Sequence, residues 1–338
     1  MNNFFKFILL FSIGLTIVSC SKSDSQTPLR DYTEQYTKDI TNIETFLNTH
    51  YLVVEHHPGE TEDLDVSYPL IDAGQTSIMN QLDYPIQTRL VTVKQNDVDI
   101  TYKIYYLKLR EGSGPDSKSP CNVDRVLTSY RGEYIYSSTE TVGGTSVTTI
   151  KSTQFEELIN PQSYFNLTGV IRGWSEIFPQ FKTGTYVGNP DGTVTFDNFG
   201  AGVMFIPSGL AYFGGSTAGV PAYSPLIFSI KLYEVQRVDH DSDGIDSYLE
   251  DISSPDNPGV ADGYVYSMEE GVVNPDDTDG DEKPDFLDTD DDGDFFTTAS
   301  EIKNPITGQA YPFANIPTCG GTGNGKKNYL DPSCHGAN

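Results

Sequence analysis

Three stretches in the central block of the chain decide its fold: VIRGW at residues 170–174, IPSGLAY at residues 206–212 and VPAYSPLIFSIKL at residues 220–232. They are rich in apolar and aromatic residues, and the first contains Trp174, the only tryptophan of the chain. Aromatic side chains on alternating strands usually belong to a hydrophobic core. Each stretch by itself therefore indicates only a packed domain. The order of the stretches along the chain is what indicates a particular fold.

Two more stretches lie upstream, SYRG at residues 129–132 and the pair Phe155-Glu156. Taken in order, the five stretches resemble the pocket-forming segments of FKBP-type peptidyl-prolyl cis–trans isomerases, over roughly residues 102–235. The resemblance implies an α+β fold, in which a twisted antiparallel sheet wraps around one short helix. In this chain the helix would begin near Arg172.

The resemblance also implies which residues form the substrate pocket. The expected set is Tyr130, Phe155, Glu156, Val170, Ile171, Trp174, Tyr212, Val220 and Phe228. Trp174 would form the floor of the pocket. The backbone N–H of Ile171 and the hydroxyl of Tyr212 would hold substrate carbonyl groups. Glu156 would orient the Tyr130 side of the site.

An aromatic pocket suits this reaction because no bond is broken. Rotation about an amide bond costs roughly 18–20 kcal/mol, and uncatalysed X–Pro isomerisation takes tens to hundreds of seconds. A dry apolar pocket that grips the proline ring favours the twisted, less polar amide over the solvated planar one. Catalysis then needs no cofactor. The expected partners are proline-containing exported polypeptides, with macrolide-type inhibitors as further ligands.

Three departures from the family pattern alter the rim of the pocket. Glu156 stands where Asp is usual, residues 185–201 form an insertion, and Phe213 is an extra residue in its loop. Tyr164 and Phe165 also compete for one further wall position, and the sequence does not choose between them. The apolar wall is intact, which predicts isomerase activity. The alternative is a non-catalytic, calcium-stabilised surface or chaperone-like protein that binds peptides in the same pocket.

Acidic residues are concentrated in the C-terminal part of the chain. The 338 residues carry a formal net charge of −27, and residues 239–301 contribute −21 of it through 22 acids and one base, Lys283. Because nucleic-acid binding depends on Lys and Arg that neutralise phosphates, nucleic acid is excluded as a partner. A run of like charge is usually a solvated linker, but the spacing of these carboxylates predicts another role.

Three stretches of this region place acids at alternate positions and at the twelfth position of a calcium loop. The expected ligands are Asp239, Asp241, Asp243 and Glu250 in loop one, Asp277, Asp279, Asp281 and Asp288 in loop two, and Asp290, Asp292, Asp294 and Glu301 in loop three. Loop one follows a strand, which argues against a paired EF-hand, and loops two and three lack Gly at the sixth position. The spacing resembles thrombospondin type-3 repeats of bacterial surface proteins. It predicts an irregular module that becomes ordered with structural Ca²⁺.

The N-terminus predicts export and a membrane anchor. A twelve-residue apolar run, residues 7–18, follows Lys6 and is shorter than the roughly 20 residues that span a bilayer. IVSC at residues 17–20 resembles the lipobox of bacterial lipoproteins, which implies cleavage before Cys20 and lipidation of its sulfur. An ordinary signal peptide with an incidental Cys is the alternative. The expected location is the bacterial cell envelope, on a periplasmic or outer-membrane surface.

The other cysteines agree with an exported protein. Cys319 and Cys334 bracket a Gly-rich loop and are expected to form a disulfide in an oxidising compartment. Closing a loop of about 15 residues would stabilise the fold by roughly 3 kcal/mol. Cys121 has no evident partner and is expected to be a buried thiol.

The remaining patterns complete the domain organisation. Apolar residues at helical spacing over residues 32–51 predict an amphipathic helix that either dimerises two chains or packs on its own domain. Alternation over residues 90–110 predicts a β-hairpin. The expected boundaries are residues 1–19 for a signal peptide, 20–31 for a tether, 32–100 for the helix and hairpin extension, 101–237 for the isomerase domain and 238–338 for the acidic calcium-binding region.

Overall fold

The computed structural model describes residues 28–334 apart from 216, 218, 256, 268–271 and 320–324. The expected signal peptide, most of the tether and Cys20 lie outside the described residues. Within them, no helix combines the length and the apolar character that a membrane crossing requires. All elements below belong to one compact unit, residues 31–338.

The regular elements are mostly β-strands. The helices are α1 (Tyr32–Thr49), α2 (Arg172–Ile177) and α3 (Thr298–Glu301). The strands are β1 (Val53–Val54), β2 (Val66–Ser67), β3 (Gln87–Gln95), β4 (Val98–Arg110), β5 (Arg125–Val142), β6 (Thr145–Leu158), β7 (Phe165–Asn166), β8 (Thr185–Gly188), β9 (Val194–Asp197), β10 (Gly200–Ile206) and β11 (Leu226–Gln236). Short 3₁₀ turns occupy Leu167–Gly169, Phe178–Gln180, Ser208–Leu210, Ser247–Leu249, Asp285–Leu287, Phe313–Asn315 and Asn328–Leu330.

One seven-stranded antiparallel sheet organises the unit. Its strand order is β3-β4-β10-β11-β5-β6, with β7 paired to β5. The insertion at residues 185–201 adds a separate hairpin, β8-β9. A mostly antiparallel sheet with few helices is compatible with the α+β fold that the sequence predicts.

Both faces of this sheet are covered. Met204 and Phe228 belong to the core that also contains residues of α2, whereas their chain neighbours Phe205 and Ile227 belong to the core that contains residues of α1. Neighbouring side chains of a strand point to opposite faces, so the two cores alternate along each strand. Strand β10 is buried along its whole length because it is central and covered on both sides.

Helix α1 packs on the sheet of its own chain. Asp31 caps the helix by accepting a hydrogen bond from the backbone N–H of Glu34 at 2.8 Å. Ile43, Phe46 and Leu47, on its inner face, are fully buried in the core against this sheet. The sequence allows this helix either to dimerise two chains or to pack on its own domain. In the structure it packs on its own domain.

The sheet also includes strands that the expected boundaries separate. Strand β4 runs through the boundary between residues 100 and 101, and β3 pairs with it along nine residue positions. The hairpin is therefore part of the main sheet and not an extension of it. Ile100 and Tyr102, on either side of the boundary, belong to the same core.

The acidic region folds around two small apolar clusters. One contains Ile245, Ile302 and Tyr329, within the region itself. The other joins Val265 and Phe286 to Cys121 and Val123, which lie just before β5. The disulfide Cys319–Cys334 is present, with Cα atoms 5.6 Å apart, and Cys121 is a free, buried thiol.

Candidate functional site

An aromatic cavity of about 480 Å³ opens beside α2. It is lined by Tyr130, Glu156, Phe165, Gly169, Val170, Ile171, Arg172, Trp174, Ala211, Tyr212 and Phe228. Seven of the nine residues expected to form the pocket lie on this lining, and Phe155 and Val220 do not. Segments from β5, β6, α2, β11 and the loop after β10 thus meet at one place.

Trp174 lies at the centre of this arrangement. Its ring makes edge contacts with Tyr130, Phe165 and Phe228, at centroid distances of 5.0, 5.7 and 5.2 Å. It is 4% exposed, and its indole N–H has no hydrogen-bond partner among the described groups. Such edge-to-face contacts stabilise aromatic clusters beyond their buried area, so the floor is held by several rings at once.

Two glycines let the aromatic rings and α2 come close. A Cβ on Gly132 would lie 2.6 Å from the ring of Phe155 and 2.9 Å from the ring of Phe228. A Cβ on Gly173 would lie 2.6 Å from the side chain of Ile206 on β10. Larger residues at these two positions would push the rings or the helix outward, which explains glycine in both sequence stretches.

Phe155 and Val220 lie in the surrounding core instead of on the cavity surface. The ring of Phe155 packs edge-on against Phe228 at 5.8 Å, in the space that Gly132 leaves open. Val220 is 3% exposed and belongs to the same core. Neither residue is among those that line the cavity, so a direct role in the pocket stays a prediction for both.

The competition between Tyr164 and Phe165 is decided by strand pairing. Phe165 lies on β7, where it pairs with Val126 of β5, and its ring contacts Tyr130 at 5.8 Å. Tyr164, one position earlier, is 39% exposed and does not line the cavity. Neighbouring strand residues face opposite sides, so only one of the pair can reach the cavity.

Polar groups lie at the rim of the cavity. Burial, with the Glu156 carboxylate as a further cause, raises the pKa of both Tyr130 and Tyr212, so both hydroxyls stay protonated donors at neutral pH. Ile171 occupies the N-terminal cap position of α2, where helix geometry leaves backbone N–H groups without intrahelical partners. The rim can therefore donate hydrogen bonds to the carbonyl groups of a bound peptide.

Helix α1 supports the loop that carries Tyr212. The buried carboxylate of Asp39 accepts hydrogen bonds from the backbone N–H and the hydroxyl of Ser208, at 2.7 and 2.6 Å. Tyr32 stacks on Phe213 at 3.9 Å. The extra residue of this loop is therefore packed against α1. Sequence reasoning missed this support, since no local pattern links residues about 170 positions apart.

The three acidic loops share one backbone geometry. In each, the sixth residue has a positive φ: 104° at Gly244, 75° at Glu282 and 75° at Phe295. Its N–H donates to the carboxylate of the first residue in each loop, at 3.1, 3.2 and 3.0 Å respectively. Left-handed backbone favours glycine, yet the turn persists in loops two and three without it. The three turns therefore have the same shape in spite of their different residues.

The structure brings carboxylates together in three clusters among the described residues. One carboxylate oxygen from each member lies within 4.8 Å of the others. The clusters are Asp241, Asp243, Glu250 and Asp291, then Asp277, Asp279 and Asp281, then Asp290, Asp292 and Asp294. The first, here called the interloop cluster, joins loop one to Asp291 of loop three. Asp291 was not expected from the sequence, because it lies between two expected ligands and outside the loop pattern.

Three expected ligands lie outside these clusters. Asp239 accepts the N–H groups of Ser242 and Gly244 and so shapes loop one. Asp288 accepts a hydrogen bond from Lys283 at 3.2 Å. Glu301 is fully buried at the end of α3. The twelfth position thus joins a cluster in loop one only.

The interloop cluster has the features of a cation site. Glu250 and Asp291 are 0% and 1% exposed, and all four of their carboxylate oxygens lack a hydrogen-bond partner among the described groups. Burial, with the neighbouring carboxylates as further causes, raises the pKa of Glu250 to about 10 and that of Asp291 to about 11. Converging buried oxygens without partners fit Ca²⁺, a hard cation that takes six to eight oxygen ligands.

Comparison with known proteins gives matches of limited extent. Residues 240–327, which include loops two and three and all of loop one except Asp239, match a family model described as BamM C-terminal. None of the curated proteins matches the chain significantly.

Similar solved structures are FKBP-type peptidyl-prolyl isomerases. A peptidyl-prolyl cis-trans isomerase from Pseudomonas syringae pv. tomato is 25% identical over 40% of this chain and 76% of that chain, with a TM-score of 0.27. FkpA from Escherichia coli is 24% identical over 39% of this chain and 48% of its own, with a TM-score of 0.24. The N-terminal domain of FKBP42 from Arabidopsis thaliana is 13% identical over 39% and 86%, with a TM-score of 0.26.

Proposed function

We propose that the chain is a peptidyl-prolyl cis–trans isomerase that acts on X–Pro bonds of exported proteins. The observation that carries this proposal is the aromatic cavity, with Trp174 as its floor and the rings of Tyr130, Phe165 and Phe228 around it. Its size and its apolar walls suit a proline ring. Hydrogen-bond donors lie at its rim, where the carbonyl groups on either side of the ring would be.

The proposed mechanism uses desolvation and placed donors. The planar amide is the more polar form and is better solvated by water, so a dry aromatic cavity disfavours it relative to the twisted transition state. The N–H of Ile171 and the hydroxyl of Tyr212 would hold the flanking carbonyl groups. Glu156, beside the Tyr130 hydroxyl, would orient that side of the site. No cofactor takes part in these steps.

A refolding assay tests the proposal. The calcium-loaded chain is added to a protein whose slow refolding phase is limited by X–Pro isomerisation, which is expected to accelerate in proportion to the amount of chain. A macrolide-type inhibitor that occupies the cavity is expected to abolish the acceleration. If the chain binds a proline-containing peptide but accelerates nothing at any calcium concentration, it is the non-catalytic peptide binder and not an enzyme.

We also propose that the acidic region binds Ca²⁺ as a structural ion. The support is the shared turn geometry of the three loops and the buried oxygens of the interloop cluster. In this role, Asp241, Asp243, Glu250 and Asp291 would hold one ion between loops one and three. Calcium supplies positive charge among the carboxylates, and the chain's own oxygens replace its water ligands.

We further propose that the protein is held in the bacterial cell envelope by lipid on Cys20. The support is the apolar run at residues 7–18 followed by Ser19-Cys20. Each buried CH₂ of an acyl chain contributes about 0.8 kcal/mol of membrane affinity. Cys20→Ser is therefore expected to move most of the protein from the membrane pellet to the soluble fraction, as measured by cell fractionation. An unchanged pellet fraction in the variant would contradict lipidation at this residue.

A further inference from the structure

A single buried carboxylate joins the acidic region to the helix that carries the cavity floor. Glu176 lies on α2, two positions after Trp174, and is 3% exposed. One of its oxygens, Oε1, accepts a hydrogen bond from the Tyr264 hydroxyl at 2.8 Å and another from Arg172 Nε at 3.1 Å. The other, Oε2, accepts two from the guanidinium of Arg89, at 3.2 and 3.1 Å. Tyr264 is the member of this set that comes from the acidic region.

Tyr264 is held firmly in its place beside α2. The next residue, Val265, is fully buried, and it exchanges two hydrogen bonds with the side chain of Asn122, at 2.7 and 3.0 Å. The guanidinium carbon of Arg89 lies 5.8 Å from the centre of the Tyr264 ring. Burial raises the pKa of Tyr264, so its hydroxyl is a donor at every physiological pH. Residues 264 and 265 are therefore fixed beside Asn122 and α2, and the Tyr264 hydroxyl donates to Glu176.

A second carboxylate connects this segment to the interloop cluster. Asp276 is fully buried. Its Oδ1 accepts hydrogen bonds from the N–H groups of Ile252 and Ser253, at 2.9 and 3.0 Å, and its Oδ2 accepts one from Tyr266 at 2.9 Å. Ile252 follows Glu250 by two residues, and Tyr266 follows Tyr264 by two. Hydrogen bonds, joined by two short stretches of backbone, thus link a cluster carboxylate to α2.

We infer that Tyr264 is a positioning residue through which the cation-loaded acidic region holds α2, and with it Trp174, in the geometry of the cavity. This inference rests on the proposed isomerase function and deepens it, because it makes the acidic region a regulatory part of the same site. An α2 of six residues is too short to be stable by itself, so its position depends on what packs against it. When the cluster loses its ion, the repulsion among its carboxylates loosens the segment that carries Tyr264.

Two tyrosines in the same segment provide a matched pair of variants. Tyr264→Phe removes the hydroxyl that donates to Glu176. Tyr266→Phe removes a hydroxyl that donates to Asp262 at 3.0 Å, inside the acidic region. Each variant removes one hydroxyl oxygen from a tyrosine that is hydrogen-bonded to a carboxylate. The centroids of the two rings are 5.0 Å apart, so both variants change the same neighbourhood. Only the first breaks the contact with α2.

Trp174 reports the result directly, because it is the only tryptophan of the chain. In the full chain, chelation of calcium is expected to shift Trp174 emission and to raise its quenching by acrylamide, and Tyr266→Phe is expected to respond in the same way. Tyr264→Phe is expected to show little calcium response at Trp174 while it still binds Ca²⁺ by calorimetry. Its kcat/KM in calcium is expected to fall roughly 3- to 10-fold, the loss of one hydrogen bond to a buried carboxylate.

The outcomes separate the inference from the proposed function. An equal Trp174 response to calcium in wild type and Tyr264→Phe would overturn the inference, whether or not the chain is an isomerase. So would a wild-type Trp174 signal that ignores calcium while calorimetry shows binding. If the wild type lacks isomerase activity but the response is lost in Tyr264→Phe alone, the positioning role stands and the catalytic function fails.

Discussion

Replacing Trp174 by Leu is expected to lower kcat/KM for prolyl isomerisation by roughly 10- to 100-fold, which corresponds to about 1.4–2.7 kcal/mol of transition-state stabilisation. Three aromatic rings contact the indole at 5.0 to 5.7 Å and form the cavity around it. Leu is shorter than Trp, so water can enter at the floor and solvate the planar amide. The proline-limited refolding assay measures the loss, and affinity for a macrolide-type inhibitor is expected to fall with it.

Two control variants distinguish a damaged site from a damaged fold. Phe178 is fully buried and packs on Trp174 at 5.3 Å, but it does not line the cavity. Phe178→Leu is therefore expected to lower thermal stability and to affect catalysis far less. Tyr164→Leu, at an exposed neighbour of the cavity residue Phe165, is expected to leave both unchanged. The smallest expected loss in kcat/KM is tenfold. If Trp174→Leu loses no more than about twofold, Trp174 does not act as the floor of the cavity.

Removing calcium is expected to reverse the effect of pH on the stability of the acidic region. In the ion-free protein, burial raises the pKa of Asp241 to about 7, of Glu250 to about 10 and of Asp291 to about 11, from ordinary values of 3.8 for Asp and 4.5 for Glu. A carboxyl group whose pKa is raised by folding holds its proton more tightly in the folded state. Its stabilising contribution is complete below about pH 4 and is lost as the pH rises through neutrality.

Calcium is expected to remove this loss. It binds the deprotonated carboxylates, and at a free concentration of 100 times Kd each site adds about 2.7 kcal/mol of stability. The thermal midpoint should therefore rise by about 5–10 °C on calcium addition at pH 8 and by much less at pH 5, where protons compete. Thermal unfolding followed by calorimetry, with calcium or with a chelator, measures the difference.

Glu250→Gln provides the sharpest variant for this prediction, because it removes one buried ionisable carboxyl group and keeps the size of the side chain. Without calcium at pH 8, it is expected to be more stable than the wild type, because Glu250 must take up a proton on folding at this pH and Gln does not. With calcium it is expected to gain less, since one ligand is weaker. Glu282→Gln makes the same charge change at an exposed position in loop two and should behave like the wild type. Equal calcium responses in all three proteins would contradict a cation in this cluster.

Much of the candidate site could be predicted from the sequence because its features are local. The alternation of apolar residues over residues 90–110 depends only on the pleat of a strand, and the turns at Gly244, Glu282 and Phe295 depend on carboxylates five residues earlier. Seven pocket residues and the start of α2 at Arg172 follow from motif order. In each case the deciding neighbours lie close along the chain or on adjacent strands.

Other features of the site depend on packing between distant segments, and only the tertiary structure shows them. Phe165 rather than Tyr164 reaches the cavity because β7 pairs with β5 in one register. Asp291 enters a cluster with Glu250 because loop three folds back on loop one, and Tyr264 meets Glu176 across 88 positions. The sequence by itself determined the aromatic set, the strand pattern and the spacing of the acids. Which of these groups touch was decided only in the folded chain, because long-range contacts depend on how whole elements fill space against each other.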